Sequence, residues 1–192
     1  MTNKLYTIGH SNQTADDFIS LLKKNSIDAI CDVRSSPFSK YTPQFNKKEI
    51  EKKLKENEII YIFLGKELGA RTENMECYVK GKIAYNLLAN DPMFKQGIER
   101  LENGMKQYKI ALMCAEKDPI TCHRMILICK EVKDFVKKIN HIHLNGDIET
   151  NSEAEGRLLT LHKIIPDMFK DQDECIEEAY DIQSQKIAYT KK

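Results

Sequence analysis

Two thiols, a carboxylate, an imidazole and a guanidinium are gathered in one short stretch, Cys114-Ala-Glu-Lys-Asp-Pro-Ile-Thr-Cys-His-Arg124. A cysteine at a helix start beside an arginine has its thiol pKa lowered and becomes a nucleophile, whereas one buried among apolar neighbours is inert packing. Cys122 fits the first description, with Cys114 the weaker candidate. His123, crowded by Cys122 and Arg124, reads as a general base or acid. Glu116 reads either as an acid/base carboxylate or as a salt-bridge partner. The Cys114-to-Arg124 interval is longer than that of the phosphatase loop and lacks that loop's glycines, so that chemistry does not transfer.

Other reactive types stand at comparable places. His10 and Ser11 follow Gly9, Asp32 and Arg34 close an apolar run, and Arg71 ends a glycine-punctuated loop that starts at Gly65. Of 30 basic residues only five are arginine, Arg34, Arg71, Arg100, Arg124 and Arg157. The planar fork of arginine suits bidentate capture of phosphate or carboxylate. Arg34, Arg71 and Arg124 are therefore candidate anion ligands, with Ser11 and Cys114 beside them; the competing reading is that they brace loops against Asp32, Glu116 or Glu67. His10, Asp32, Glu116, Cys122 and His123 are the candidate catalytic groups. His141 and His143 share a strand face, but their spacing from the cysteines matches no zinc pattern, so no metal is expected. The Gly65–Gly69 loop is neither a P-loop nor a dinucleotide fingerprint, and no cofactor is expected. Tyr41, Tyr61, Tyr78 and Tyr85 sit in or near loops, where they either pack or stack on bases.

The elements that must position these groups are readable from periodicity. Short β-branched or apolar runs at 5–8, 27–33, 59–64, 108–113 and 141–144 read as strands. Between them lie helical stripes opened by caps: Thr14 with Asp17, Asn46 with Glu49, Asp91-Pro92, and Asp118-Pro119 or Thr121. Residues 72–90 are harder to place apart from a helix near Ile83 to Leu88. The order predicts an α/β fold of three layers, Rossmann-like or flavodoxin-like: a mostly parallel sheet of about five strands with helices on both faces. In such a sheet all strands point their C-terminal ends at one edge, which is where ligands bind. Every candidate group above follows a strand, so all are expected at that edge.

The chain has 192 residues and a formal net charge of +1, which gives no global basic field for nucleic acid. We read residues 1–150 as a single α/β domain and 151–192 as a charged helical extension packed on it. Six scattered cysteines and no signal-like or membrane-spanning run favour free thiols and a reducing cytoplasm.

Thr7-Ile-Gly-His-Ser11, Asp32-Val-Arg34 with Pro37, Leu68-Gly69, Cys114-Ala-Glu116 and Cys122-His-Arg124 together resemble the domain of unknown function family 488, from about residue 5 to about residue 145. Gly69-Ala70 departs from the paired glycines common in that family. The resemblance implies a cytosolic α/β domain and assigns no reaction. It carries over His10, Ser11, Asp32, Arg34, Leu68, Gly69, Cys114, Glu116, Cys122, His123 and Arg124. The leading expectation is an enzyme, a hydrolase or transferase, acting on a small phosphate-bearing ligand such as a nucleotide, nucleoside or nucleic-acid end. The alternatives are a non-catalytic module that binds a nucleotide or nucleic acid, and a thiol redox or metal-binding protein.

Overall fold

The computed structural model describes residues 4–191, so positions 1–3 and 192 of the expected ranges lie outside the described residues. Its main sheet has six strands. In chain order they are β1 (Lys4–Gly9), β2 (Ala29–Asp32), β3 (Ile60–Phe63), β6 (Ile110–Cys114), β7 (Lys138–Ile142) and β8 (Ile148–Thr150), arranged β3-β2-β6-β1-β7-β8. The first five run parallel, and β8 pairs antiparallel with β7. The expected five-stranded parallel sheet is present, with β8 as an added edge. β6 lies between β1 and β2, whereas Rossmann and flavodoxin orders keep the first two strands adjacent. A two-stranded hairpin, β4 (Tyr78–Val79) with β5 (Lys82–Ile83), occupies the stretch that periodicity left unplaced.

Both faces of a parallel sheet must be covered, and the pleat decides which side chain goes where. Tyr6, Ile8, Ile30, Ala111 and Met113 face one core with α1 (Ala15–Lys24) and α2 (Lys47–Lys55), represented by Phe18, Leu22, Ile50 and Leu54. The alternate residues Leu5, Ala29, Cys31, Leu112 and Cys114 face the other core. That side holds α3 (Tyr85–Asn90), α4 (Pro92–Met105), α6 (Asn151–His162) and α7 (Gln172–Ile187), together with a helix that opens as a π-turn, Arg124–Cys129, and ends as α5 (Lys130–Val132). Tyr180 of α7 is fully buried, and Gln183 donates to the Ile120 carbonyl at 2.7 Å, so the C-terminal helices close this layer.

Two caps behave as read. Thr14 Oγ1 accepts from the Asp17 N–H, and Asp91 accepts from the N–H groups of Met93 and Phe94 ahead of Pro92. Two do not. Asn46 precedes α2, but its side chain accepts from Ser39 N–H at 2.7 Å instead of closing a box with Glu49. Asp118 caps only a 3₁₀ turn, Pro119–Thr121, and the helix proper begins after His123. The expected helix start at Cys122 is therefore corrected: Cys122 is extended, with φ −130° and ψ 140°.

Candidate functional site

β6 delivers Cys114 to the C-terminal edge, facing the α3–α7 layer. The chain then turns and returns through Cys122 and His123 at the mouth of the π-turn, a rare helical form often found at functional sites. Glu116 Oε2 lies 2.8 Å from Cys114 Sγ and 3.1 Å from Cys122 Sγ. His123 Nδ1 lies 3.7 Å and 3.9 Å from the same two sulfurs. The donor atoms of Cys114, Glu116, Cys122 and His123 all fall within 4.8 Å of one another. Three of these residues are buried, and Glu116 is exposed at the outer side.

The surroundings fix the protons. His123 Nε2–H donates to the Val33 carbonyl at 3.1 Å, so Nδ1 is the ring nitrogen that faces the sulfurs. Burial pushes the Cys122 thiol up, but the Cys114 S–H, the Arg124 guanidinium and His123 outweigh it and hold Cys122 well below the ordinary thiol range. Cys114, tied to Cys122 and buried, is pushed well above that range. Although Glu116 is exposed as a residue, its carboxyl is tucked against the two sulfurs, and that local burial and then the Cys122 charge raise it. Burial lowers His123, yet its bond to Cys122 and the charges of Cys122 and Glu116 leave it raised. Tyr85 of α3 is 6% exposed, and burial, then the charges of Cys122, Cys114 and Glu116, push its phenol upward, which marks it as a neighbour of the cluster.

The strand-end loops are held by backbone contacts. His10 N–H donates to the Cys114 carbonyl and Ser11 N–H to the Ala115 carbonyl, both at 2.9 Å. A Cβ on Gly9 would lie 1.8 Å from the Glu116 carbonyl oxygen, so only glycine lets β1 end against this turn. Ser11 is left-handed, at φ 48°, a strained state for a side-chain-bearing residue. Its hydroxyl donates to Asn12 Oδ1 at 3.4 Å.

The remaining candidates form a second constellation on the other face of the sheet. Arg34 grips Asp32 bidentately, with Nε to Oδ1 at 2.9 Å and Nη2 to Oδ2 at 2.7 Å. Its Nη1–H points at His10 Nε2 at 3.0 Å, while His10 Nδ1–H donates to the Ser11 carbonyl. His10 stacks on Phe45, and burial followed by the Arg34 charge lowers it to about 4, so it is a neutral acceptor. Tyr61 donates to the same carboxylate, Asp32 Oδ2, at 2.8 Å.

Arg124 is 1% exposed and gives its guanidinium to the Glu116 and Lys117 carbonyls and to Thr7 Oγ1, which lies on the face opposite Asp32. Arg34 and Arg124 thus meet protein acceptors on opposite faces of the sheet. Arg71 stands apart, exposed in its loop. All six cysteines are free and buried. His141 bonds Thr7 and Asn151, and His143 bonds Glu149, so neither joins the thiols. The participation of Thr7, Tyr85 and the Val33 carbonyl was not readable beforehand: a backbone carbonyl carries no sequence signal, and Tyr85 looked like any rim tyrosine.

Residues 14–130 match the family model described as domain of unknown function DUF488. No curated protein and no solved structure matches the chain. Among the described residues no helix is long and apolar enough to cross a membrane.

Proposed function

We propose that this chain, which belongs to the DUF488 family, is an enzyme built around a zinc-class metal ion held by Cys114, Glu116, Cys122 and His123. The observation that carries the reading is the convergence of two sulfurs, one imidazole nitrogen and one carboxylate oxygen within 4.8 Å. Thiolate with imidazole is the ligand set of zinc rather than of magnesium or calcium. A tetrahedral ion with ordinary bonds to sulfur, nitrogen and oxygen holds its ligand atoms about 3.5–3.8 Å apart. The His123-to-sulfur separations of 3.7 and 3.9 Å lie within that range and about 0.1 Å beyond it. The carboxylate, now 2.8 and 3.1 Å from the sulfurs, would move outward by about 0.4–1.0 Å. The Nε2–H to Val33 bond is the kind of outer-shell contact that orients a metal-ligating histidine.

The enzyme reading draws its support from position. The cluster sits at the C-terminal edge of the parallel strands, and its one exposed ligand, Glu116, is the ligand that substrate or water would displace. A divalent ion there supplies Lewis-acid polarisation or an activated water. Without an ion, Cys122 Sγ beside His123 Nδ1 and the Arg124 N–H at 3.5 Å would form a thiol centre, and that is the second reading.

Elemental analysis of protein purified without chelator separates the two. The expected result is one zinc per chain, lost in Cys114→Ser and in Cys122→Ser and kept in Cys175→Ala. Protein that stays folded and takes up no added zinc, while Cys122 alkylates fast near neutral pH, would sink the metal reading and leave the thiol one.

A further inference from the structure

Four of the five arginines spend their guanidinium groups on protein acceptors: Arg34 on Asp32, Arg100 on Glu67, Arg124 on two carbonyls, and Arg157 on Asp118 and Glu149. Arg71 differs. Its guanidinium stacks on the Tyr189 ring at 4.5 Å, and its backbone N–H donates to Ser35 Oγ at 3.0 Å. It lines a cavity of about 560 Å³ together with Ser35, Ser36, Thr72 and Lys191. The Lys191 ammonium rests 6.0 Å over the Tyr78 ring and 3.3 Å from the Met75 sulfur, both neutral partners. Glu73 also lines the cavity, and among the described residues it pairs with neither cation. The tail that brings Tyr189 and Lys191 here is fixed by backbone bonds, Ile83 N–H to Tyr189 O at 3.0 Å and Lys191 N–H to Gly81 O at 2.8 Å.

We propose that Arg71 and Lys191, with the Ser35 and Ser36 hydroxyls, form a binding subsite for the phosphate group of a phosphate monoester. Two cations held on aromatic faces rather than on carboxylates leave their charge available to a ligand. Ser35 Oγ accepts from Arg71 N–H, so its own hydrogen is free to donate. A planar fork, an ammonium and hydroxyls offer more donors than the two oxygens of a carboxylate can use, and the three of a phosphate use them. Tyr78 and Tyr189 also line the cavity and offer the organic part of the ester apolar ring surface beside the cations. Ser35 follows Val33 by two residues, at most about 7 Å of chain. The carbonyl of Val33 supports His123, so one segment serves both the cavity and the cluster. The subsite gives the metal-centre reading its substrate class; it rests on that reading for its catalytic meaning and not for its existence.

Titration calorimetry with inorganic phosphate and with phenyl phosphate, against chloride at equal ionic strength, tests the subsite directly. Both phosphates should bind, phenyl phosphate more tightly. Arg71→Gln and Lys191→Gln should each weaken binding by about tenfold, while Arg100→Gln and the zinc-site variant Cys122→Ser leave it unchanged. No binding to the wild type, or full binding to both Arg71→Gln and Lys191→Gln, overturns the subsite. Loss in Cys122→Ser with full binding in Arg71→Gln would place the anion on the metal cluster and overturns it as well. Failure of the metal reading alone shows as absent zinc with phosphate binding and its Arg71 dependence intact.

Discussion

His123 donates from Nε2 to the carbonyl of Val33 at 3.1 Å, a bond between residues ninety positions apart. It fixes the ring, so Nδ1 is the atom that meets the sulfurs. Loss of that nitrogen should remove a ligand and leave the rest of the edge in place. His123→Ala is expected to weaken zinc binding by at least about a hundredfold, read by competition with a chromophoric chelator. An ion that binds only the folded chain also stabilises it, by roughly 4 kcal/mol at a thousandfold excess over Kd. Chelation should therefore lower the wild-type melting temperature and leave that of Cys122→Ser where it was. Equal responses of the two proteins to chelator would count against the site.

Arg124 is a brace, and its replacement should behave as one. Its three acceptors are the carbonyls of Glu116 and Lys117 in the turn and the fully buried Thr7 hydroxyl. A lysine supplies one point charge in place of the fork and leaves acceptors unmet. Arg124→Lys should cost about 3 kcal/mol in urea unfolding. Phosphate affinity should be unchanged, because the group never faces a ligand. A variant with wild-type stability and weakened phosphate binding would restore anion capture as its role.

Periodicity placed the strands within a few residues, and the caps placed the starts of α1 and α4 correctly, because alternation and caps are local signals. It also gathered His10, Asp32, Cys114 and Cys122 at one edge, since parallel strands leave no other arrangement. It did not separate them into two constellations. Which face Asp32 or Cys114 takes depends on the register of β2 and β6 through the pleat, and a one-residue shift reverses it. The carboxylate between two thiols was equally invisible, because Glu116 meets Cys122 only after the turn closes. The Asn46 cap failed for a related reason: a distant backbone donor, Ser39 N–H, claimed its side chain.

Gly9 is the position where the cluster is most exposed to a single methyl group. A Cβ there would overlap the Glu116 carbonyl at 1.8 Å and crowd Arg124 Nη1 at 3.2 Å. Neither β1 in mid-sheet nor the turn braced by Arg124 can yield cheaply. Gly9→Ala should cost more than about 3 kcal/mol, at the severe end for point changes. The folded fraction should also bind zinc poorly, because the turn that carries Glu116 is the part displaced. A stable variant with full zinc affinity would mean that the close approach is not required.

His141 sets an acid limit on stability that is separable from the cluster. Thr7 O–H donates to its Nδ1 at 2.8 Å, and its Nε2–H donates to Asn151 Oδ1 at 3.2 Å, so the ring is buried in its neutral form. Burial, then the Arg124 charge, lowers its pKa from 6.5 to about 4, against smaller upward pulls from Asn151 and Glu149 and a further lowering by His143. The unfolded chain therefore binds this proton first as pH falls. The contribution of His141 is intact above about 6.5 and is lost progressively down to about 4, where it amounts to roughly 3 kcal/mol at most. His10, lowered to about 4 by burial and by Arg34, draws on the same window, so the test is a difference. Urea unfolding of the wild type and of His141→Gln between those limits should give a shallower pH slope for the variant. Parallel slopes would show that protonation of His141 is not what weakens the fold.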